Sequence, residues 1–263
     1  ISPLVCGITS ISLDHLDILG DTIEKISKEK AGIIKKNTPI YIFEQNENII
    51  EIIKKKSAKV NAPLTIIKSN DVETFTSNDL GSVFKYKGYN IKLPLIGGHQ
   101  VQNCVLAIDI VEFVLNGINE NILKVAISKL SWPGRMEKLS EKNIYYDVAH
   151  NYDGIRALIN TIKKIHPKTR IVGLFCIKAE KNIELICDEL KKDFIKVIIC
   201  QDKEKYLLSV KALSEIFKKE KINFLEGKSV KDGIRILTNS NIGENVGLIF
   251  GSHYIAKEVY SEF

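Results

Sequence analysis

The 263 residues include one Met, one Trp, six Pro and five Cys, and aromatic side chains make up only 8% of the chain. Proline this scarce, with no repeat and no low-complexity stretch, excludes collagen-like and proline-rich architectures. No apolar run approaches the roughly 18 residues of a membrane-spanning helix, and nothing near the start reads as a secretion signal. Charge of one sign is also lacking, since 38 Lys+Arg face 32 Asp+Glu for a net +6. The bases are scattered, as at Lys54 to Lys56 or Lys191 and Lys192, and form no stripe interleaved with aromatics, so no nucleic-acid partner is expected. The cysteines (Cys6, Cys104, Cys176, Cys187, Cys200) are odd in number, form no CxxC and lie mostly in apolar runs. Neither a disulfide framework nor a zinc site fits them; buried, reduced thiols in a cytoplasmic protein do. What is present is ordinary: 44% hydrophobic and 27% charged residues with a mean hydropathy of −0.01. That is the composition of a globular chain of one large or two medium domains.

The pattern changes character part-way. In the first half, an apolar, β-branched run over 4–13 predicts a buried strand, followed by a helix over 21–35. Strands at 40–43 and 64–68, a helix over 47–58, a hairpin built from VFKY and NIKL around Lys87-Gly88-Tyr89, and helices over 98–116 and 120–130 complete it. Ser131-Trp132-Pro133-Gly134-Arg135 is a turn-rich break suited to a domain junction. Beyond it, strands near 143–147, 170–176, 195–200, 222–225 and 246–250 alternate with helices near 153–165, 181–192, 205–220, 229–239 and 253–262. Strict alternation predicts a doubly wound parallel sheet, whose ligands gather at the carboxyl ends of the strands. The domains expected are therefore 1–131 and 132–263.

One lysine is out of place on this reading. Asp21 and Glu24 match an N-cap and its capping-box partner, and Ile23, Ile26, Ile33 and Ile34 define the apolar face of the helix. At 100° per residue Lys30 falls inside that face while Lys25 and Lys28 point outward. Such a lysine snorkels, pairs or is chemically altered. Asp14-His15 ends the preceding strand, where it either caps the turn or marks a site.

The stretch ITSISLDHLDILGDTIEKISKEKAGIIK resembles a segment of the folylpolyglutamate synthase and dihydrofolate synthase family of the Mur ligase superfamily. The resemblance implies that His15 binds magnesium and that Lys30 is carbamylated, which turns the cation into a carboxylate ligand for the metal. GGHQVQNCVLAI is similar to the family's Gly-x-His-Gln-x-x-Asn motif and implies that Asn103 reads adenine; an amide both donates and accepts, as adenine requires. Trp132-Pro133-Gly134-Arg135 resembles the junction motif whose arginine reaches the ATP phosphates, here Arg135. Tyr145-Tyr146-Asp147-Val148-Ala149-His150-Asn151 resembles Asp-Gly-Ala-His-Asn, implying that Asp147 holds the ribose and His150 lies near the acyl phosphate and incoming amino acid. Val148 stands where the family has glycine, and valine adopts positive φ only at a cost. Cys176 to Asn182 corresponds to a stretch with a glycine and Asp-Lys-Asp, of which Lys181 survives. Phe250-Gly251-Ser252-His253-Tyr254 is similar to Gly-Ser-Leu-Tyr, making Lys181 and Ser252 glutamate-side candidates.

The fold implied is α/β: the C-terminal part of a P-loop-type Mur ligase central ATPase domain, then a Rossmann-like doubly wound ligase domain. No GxxxxGK[ST] occurs in the 263 residues, so the phosphate-cradling loop is expected upstream of Ile1 and the chain alone is expected to be inactive. The activity implied is ATP- and Mg2+-dependent addition of L-glutamate to dihydropteroate or folate through an acyl phosphate, in a cytoplasmic monomer with neither nucleic-acid nor membrane partners. The rival readings are a non-catalytic truncated relative that binds nucleotide weakly, and a Mur-type ligase for a peptidoglycan precursor or polyamino acid.

Overall fold

Residues 1–13, 22–179, 183–240 and 245–263 are described by the computed structural model. They separate into two units, Ile1–Ser131 and Trp132–Phe263. The first unit has a parallel sheet of β1 (Cys6–Ile8), β2 (Ile40–Phe43) and β3 (Leu64–Ile67), with Ile40 registered against Cys6 and Leu64. Helix α1 (Ile23–Lys30) leads into Ile34, and Ile34 packs with Ile49 and Ile53 of α2 (Glu47–Lys59) against Ile8, Ile40 and Ile42. A second layer combines the antiparallel strands β4 (Val72–Asn78), β5 (Gly81–Tyr86) and β6 (Tyr89–Leu93) with α3 (Gly98–Leu115) and α4 (Glu120–Ser128).

Four expectations for this unit are corrected. The first strand has three residues, because polar Thr9 and Ser10 are exposed and the ladder to β2 ends at Ile8. The cap of α1 is Thr22, whose Oγ1 accepts from Lys25 N at 3.3 Å; Asp21 lies outside the described residues. The helix also stops at Lys30 and continues as a 3-10 turn over Ala31–Ile33, after which Ile34 is extended. The 100° progression therefore fails beyond Lys30. Ile34 is buried, Ile33 is 44% exposed, and Lys30 is exposed like Lys25 and Lys28. The lysine is not on an apolar face. Finally, β4 escaped the pattern because nearly all its residues are exposed or half-buried, and a register shift between Glu73 and Thr76, with Thr74 at φ 46°, breaks its alternation.

The hairpin is held to α3 by charge. Asp109, 4% exposed, accepts from Tyr86 Oη at 2.9 Å and pairs with Lys87 Nζ at 2.6 Å. Lys87 also reaches Glu112 at 2.9 Å, and Glu112 accepts from Tyr89 Oη at 3.0 Å.

The second unit contains β7 (Glu137–Lys138), β8 (Ile144–Asp147), β9 (Ile171–Phe175), β10 (Phe194–Ile199), β11 (Phe224–Glu226) and β12 (Val246–Phe250). They form one sheet in the order β11-β10-β9-β12-β8-β7, parallel except that β7 runs antiparallel to β8. Every residue of β8, β9 and β12 is buried, as central parallel strands covered on both faces must be. Helices α5 (Tyr152–Ile165), α6 (Ile183–Asp193), α7 (Val210–Lys219), α8 (Val230–Thr238) and α9 (Ala256–Tyr260) supply the cover. Asn151, Ser209 and Ser229 cap α5, α7 and α8 through their side chains. The helix expected from 205 begins at 210, because Asp202 accepts from the amides of Tyr206 and Leu207 and shapes 202–207 as a turn. The two-residue β7 was too short to show a period. Among the described residues no helix is long and apolar enough to cross a membrane.

Candidate functional site

In the second unit the carboxyl ends of three adjacent strands bring the predicted residues together. Phe250 of β12 is registered against Asp147 of β8 on one side and Phe175 of β9 on the other. The segments leaving these strands, 148–151, 251–254 and 176–179, therefore emerge side by side.

Asp147 is the hub. It is 5% exposed, and its carboxylate accepts from Ala149 N at 2.7 Å and from Met136 N at 2.8 Å. One bond turns the chain toward α5; the other fixes the junction turn. Burial pushes the carboxyl up to about 6, against the pull of the Ala149 and Met136 amides and of nearby Arg135 and His150. Val148 N donates to Gly134 O at 3.0 Å, drawing the same two segments together. Val148 is not among the residues with positive φ, so valine in place of glycine meets no backbone strain there. The position that needs glycine is Gly134 itself, at φ 68°, where an added Cβ would lie 2.7 Å from a Val148 methyl. His150 is half-buried, and its Nδ1 lies 3.0 Å from the Val148 carbonyl, which assigns the proton to that nitrogen.

Arg135 is half-buried in the junction turn between Gly134 at φ 68° and Met136 at φ 49°. Ser252 is buried beyond Gly251, whose φ of 107° brings it against the Cys176 carbonyl. Its Oγ accepts from Tyr254 N at 3.1 Å and its carbonyl accepts from Tyr146 Oη at 2.9 Å. Two residues that sequence reasoning missed complete the set. Glu137 accepts from Gly134 N at 2.9 Å, and Tyr260 Oη donates to the same carboxylate oxygen. Their separation of 123 positions left no local signal to read.

The remaining candidates stand elsewhere. Asn103 is exposed on α3, off the face that buries Val101, Cys104 and Val105, as its spacing predicts. Lys30 is exposed on the last turn of α1. His15 and Lys181 lie outside the described residues. Among the described residues no three His, Cys, Asp or Glu side chains gather as a metal site.

Two family models cover most of the chain. The Mur ligase middle domain matches residues 1–111, and the Mur ligase glutamate ligase domain matches residues 134–253. The chain belongs to the folylpolyglutamate synthase family of Mur ligases. It is 31% identical to the dihydrofolate synthase/folylpolyglutamate synthase of Bacillus subtilis, over 91% of this chain and 61% of that protein. It is 29% identical to the dihydrofolate synthetase of Saccharomyces cerevisiae, over 74% of this chain and 48% of that one. The crystal structure of Mycobacterium tuberculosis folylpolyglutamate synthase complexed with ADP and AMPPCP superposes with a TM-score of 0.87 at 25% identity, over 98% of this chain and 63% of that chain. The chain thus spans about three fifths of the length of the first of these relatives.

The buried hub of this Mur ligase chain makes its stability depend on pH. The Asp147 carboxyl is raised from 3.8 to about 6, so the native state holds its proton over a range where the unfolded chain has lost it. The resulting stabilisation is complete below the unfolded value and is lost as pH rises through the folded one. Asp147→Asn removes the titration. The stability of wild type relative to this variant is expected to fall by on the order of 2–3 kcal/mol between about pH 4 and about pH 7. Urea melts of both proteins across that range check it, and parallel pH profiles would contradict the assignment.

Proposed function

We propose that this chain carries the glutamate-ligase unit and part of the nucleotide unit of an ATP-dependent enzyme that joins L-glutamate to dihydropteroate, to a folate, or to both. The observation that carries the reading is the meeting of Arg135, Asp147, His150 and Ser252 around one sheet edge, inside the segment matched by the glutamate ligase domain.

In the reaction proposed, a substrate carboxylate attacks the γ-phosphorus of ATP, ADP leaves, and an acyl phosphate forms. The glutamate amine then adds to the acyl carbon, loses a proton and expels inorganic phosphate, leaving an amide. Arg135 offers a guanidinium fork to phosphate oxygens. Asp147 is the ribose acceptor, each oxygen keeping a lone pair beyond its bond to a backbone amide. His150, with its proton on Nδ1, presents Nε2 as an acceptor beside the acyl centre and the incoming amine. Ser252, with Lys181, belongs to the glutamate side, and Asn103 of the first unit is the adenine reader. Magnesium would neutralise charge on the phosphates; among the described residues no three His, Cys, Asp or Glu side chains gather to hold it. For His15 as its ligand and for carbamylation of Lys30 the support is family resemblance alone.

The test supplies ATP, magnesium, L-glutamate and either dihydropteroate or folate. A product heavier by one glutamyl residue, with one phosphate released per amide, is expected. Absence of product with both pterins, in the full-length protein that carries this chain, would sink the reading.

A further inference from the structure

The junction turn holds Arg135 between two left-handed residues, Gly134 at φ 68° and Met136 at φ 49°. For a non-glycine residue that geometry persists only where the surroundings impose it. Two of its restraints, Asp147 to Met136 N and Val148 N to Gly134 O, come from β8 and the residue after it. The third comes from outside. Glu137 takes the Gly134 amide, and its half-buried carboxylate is held in turn by Tyr260 of α9. Tyr260 packs edge-on to Tyr146 with ring centroids 5.8 Å apart, and Tyr146, fully buried, donates to the Ser252 carbonyl. Glu137 is registered directly against Tyr146 across the β7–β8 pair. Gly134, Glu137, Tyr260, Tyr146 and Ser252 therefore form one contiguous chain from the arginine turn to the serine turn.

We propose that Glu137 and Tyr260 are positioning residues: through the Gly134 amide they set the direction of Arg135, and through Tyr146 they tie that direction to the Ser252 turn. The inference rests on the proposed nucleotide role of Arg135. It makes the last helix of the chain a working part of the site, acting through the turn and touching no substrate.

Trp132, the only tryptophan, is 63% exposed and lies three residues before Arg135, so it reports on this turn directly. The experiment compares wild type with Tyr260→Phe, Glu137→Ala and Glu137→Gln by Trp132 fluorescence anisotropy, ADP affinity and thermal melting. Tyr260→Phe deletes one hydroxyl at the surface and leaves the ring contact, so it is suited to test the bond without unfolding the chain. Tyr260→Phe and Glu137→Ala are expected to lower the anisotropy and to weaken ADP binding about tenfold. Glu137→Gln, which keeps an acceptor oxygen, is expected to restore most of both. Unchanged anisotropy in Tyr260→Phe and Glu137→Ala would overturn the proposal, and so would lowered anisotropy with unaltered ADP affinity. A fall in melting temperature alone would show a merely structural bond and count equally against it. If wild type binds no ADP, the nucleotide reading fails, while the anisotropy still decides whether the two residues hold the turn.

Discussion

Replacing Lys87 with methionine is expected to destabilise the first unit by on the order of 3 kcal/mol, more than replacing its buried carboxylate partner Asp109 with asparagine. The reason is which charge is left behind. Lys87 is 45% exposed along its side chain, whereas Asp109 is 4% exposed. Lys87→Met strands the buried carboxylate with, among the described residues, only the Tyr86 hydroxyl as a partner. Asp109→Asn leaves Lys87 paired with Glu112 and able to reach water, and keeps an oxygen for Tyr86 to donate to. It is expected to cost only about 1 kcal/mol. Urea melts order the two variants, and an Asp109→Asn cost equal to or above that of Lys87→Met would refute the argument. The same interaction explains the hairpin tip. Lys87 sits at φ 49°, a conformation that pure turn chemistry assigns to glycine or asparagine.

On the proposed phosphate role of Arg135, Arg135→Ala is expected to lower kcat/KM for the proposed ligation by roughly 10²–10³, the loss seen when one preorganised donor to a developing oxyanion is removed. Arg135→Lys should recover only part of this, because an ammonium offers a point charge where a guanidinium offers two parallel donors. Steady-state phosphate release under saturating glutamate measures both. Retention of full activity in the alanine variant would remove Arg135 from the chemistry. Its melting temperature should stay near that of wild type, since the bonds that shape the turn run through the backbone of Gly134 and Met136.

The second unit was almost wholly legible in the sequence, and the reason is periodicity. Its buried strands are unbroken runs such as Ile171–Phe175 and Val246–Phe250, and each intervening helix carries a clear apolar stripe. The first unit was harder. Its strand β4 is mostly exposed on a twisted, bulged edge, and the first helix shifts from α to 3-10 geometry just where Lys30 seemed to turn inward. A rotation rule assumes one helical step throughout, and here the step changes. The positions of Asp147 and His150 at the carboxyl end of a buried strand were legible from topology, whereas Ser252 was named only through its resemblance to a family motif. Glu137 and Tyr260 were not, since a bond across 123 positions has no signature in a single sequence. Val148 was misjudged for a local reason: the glycine-dependent backbone lies at Gly134, across the contact, and not at the substituted position.

The burial of all five cysteines has a practical side. No native thiol is presented to solvent, and burial pushes the Cys104 and Cys187 thiols up to about 12, far from the reactive thiolate. The folded chain is in effect its own cysteine-free background. A single cysteine introduced at an exposed position such as Glu141 would take a maleimide probe alone, with no native residue to remove first. Conversely, the five natural thiols become counters of unfolding, because each reacts only when the core around it opens.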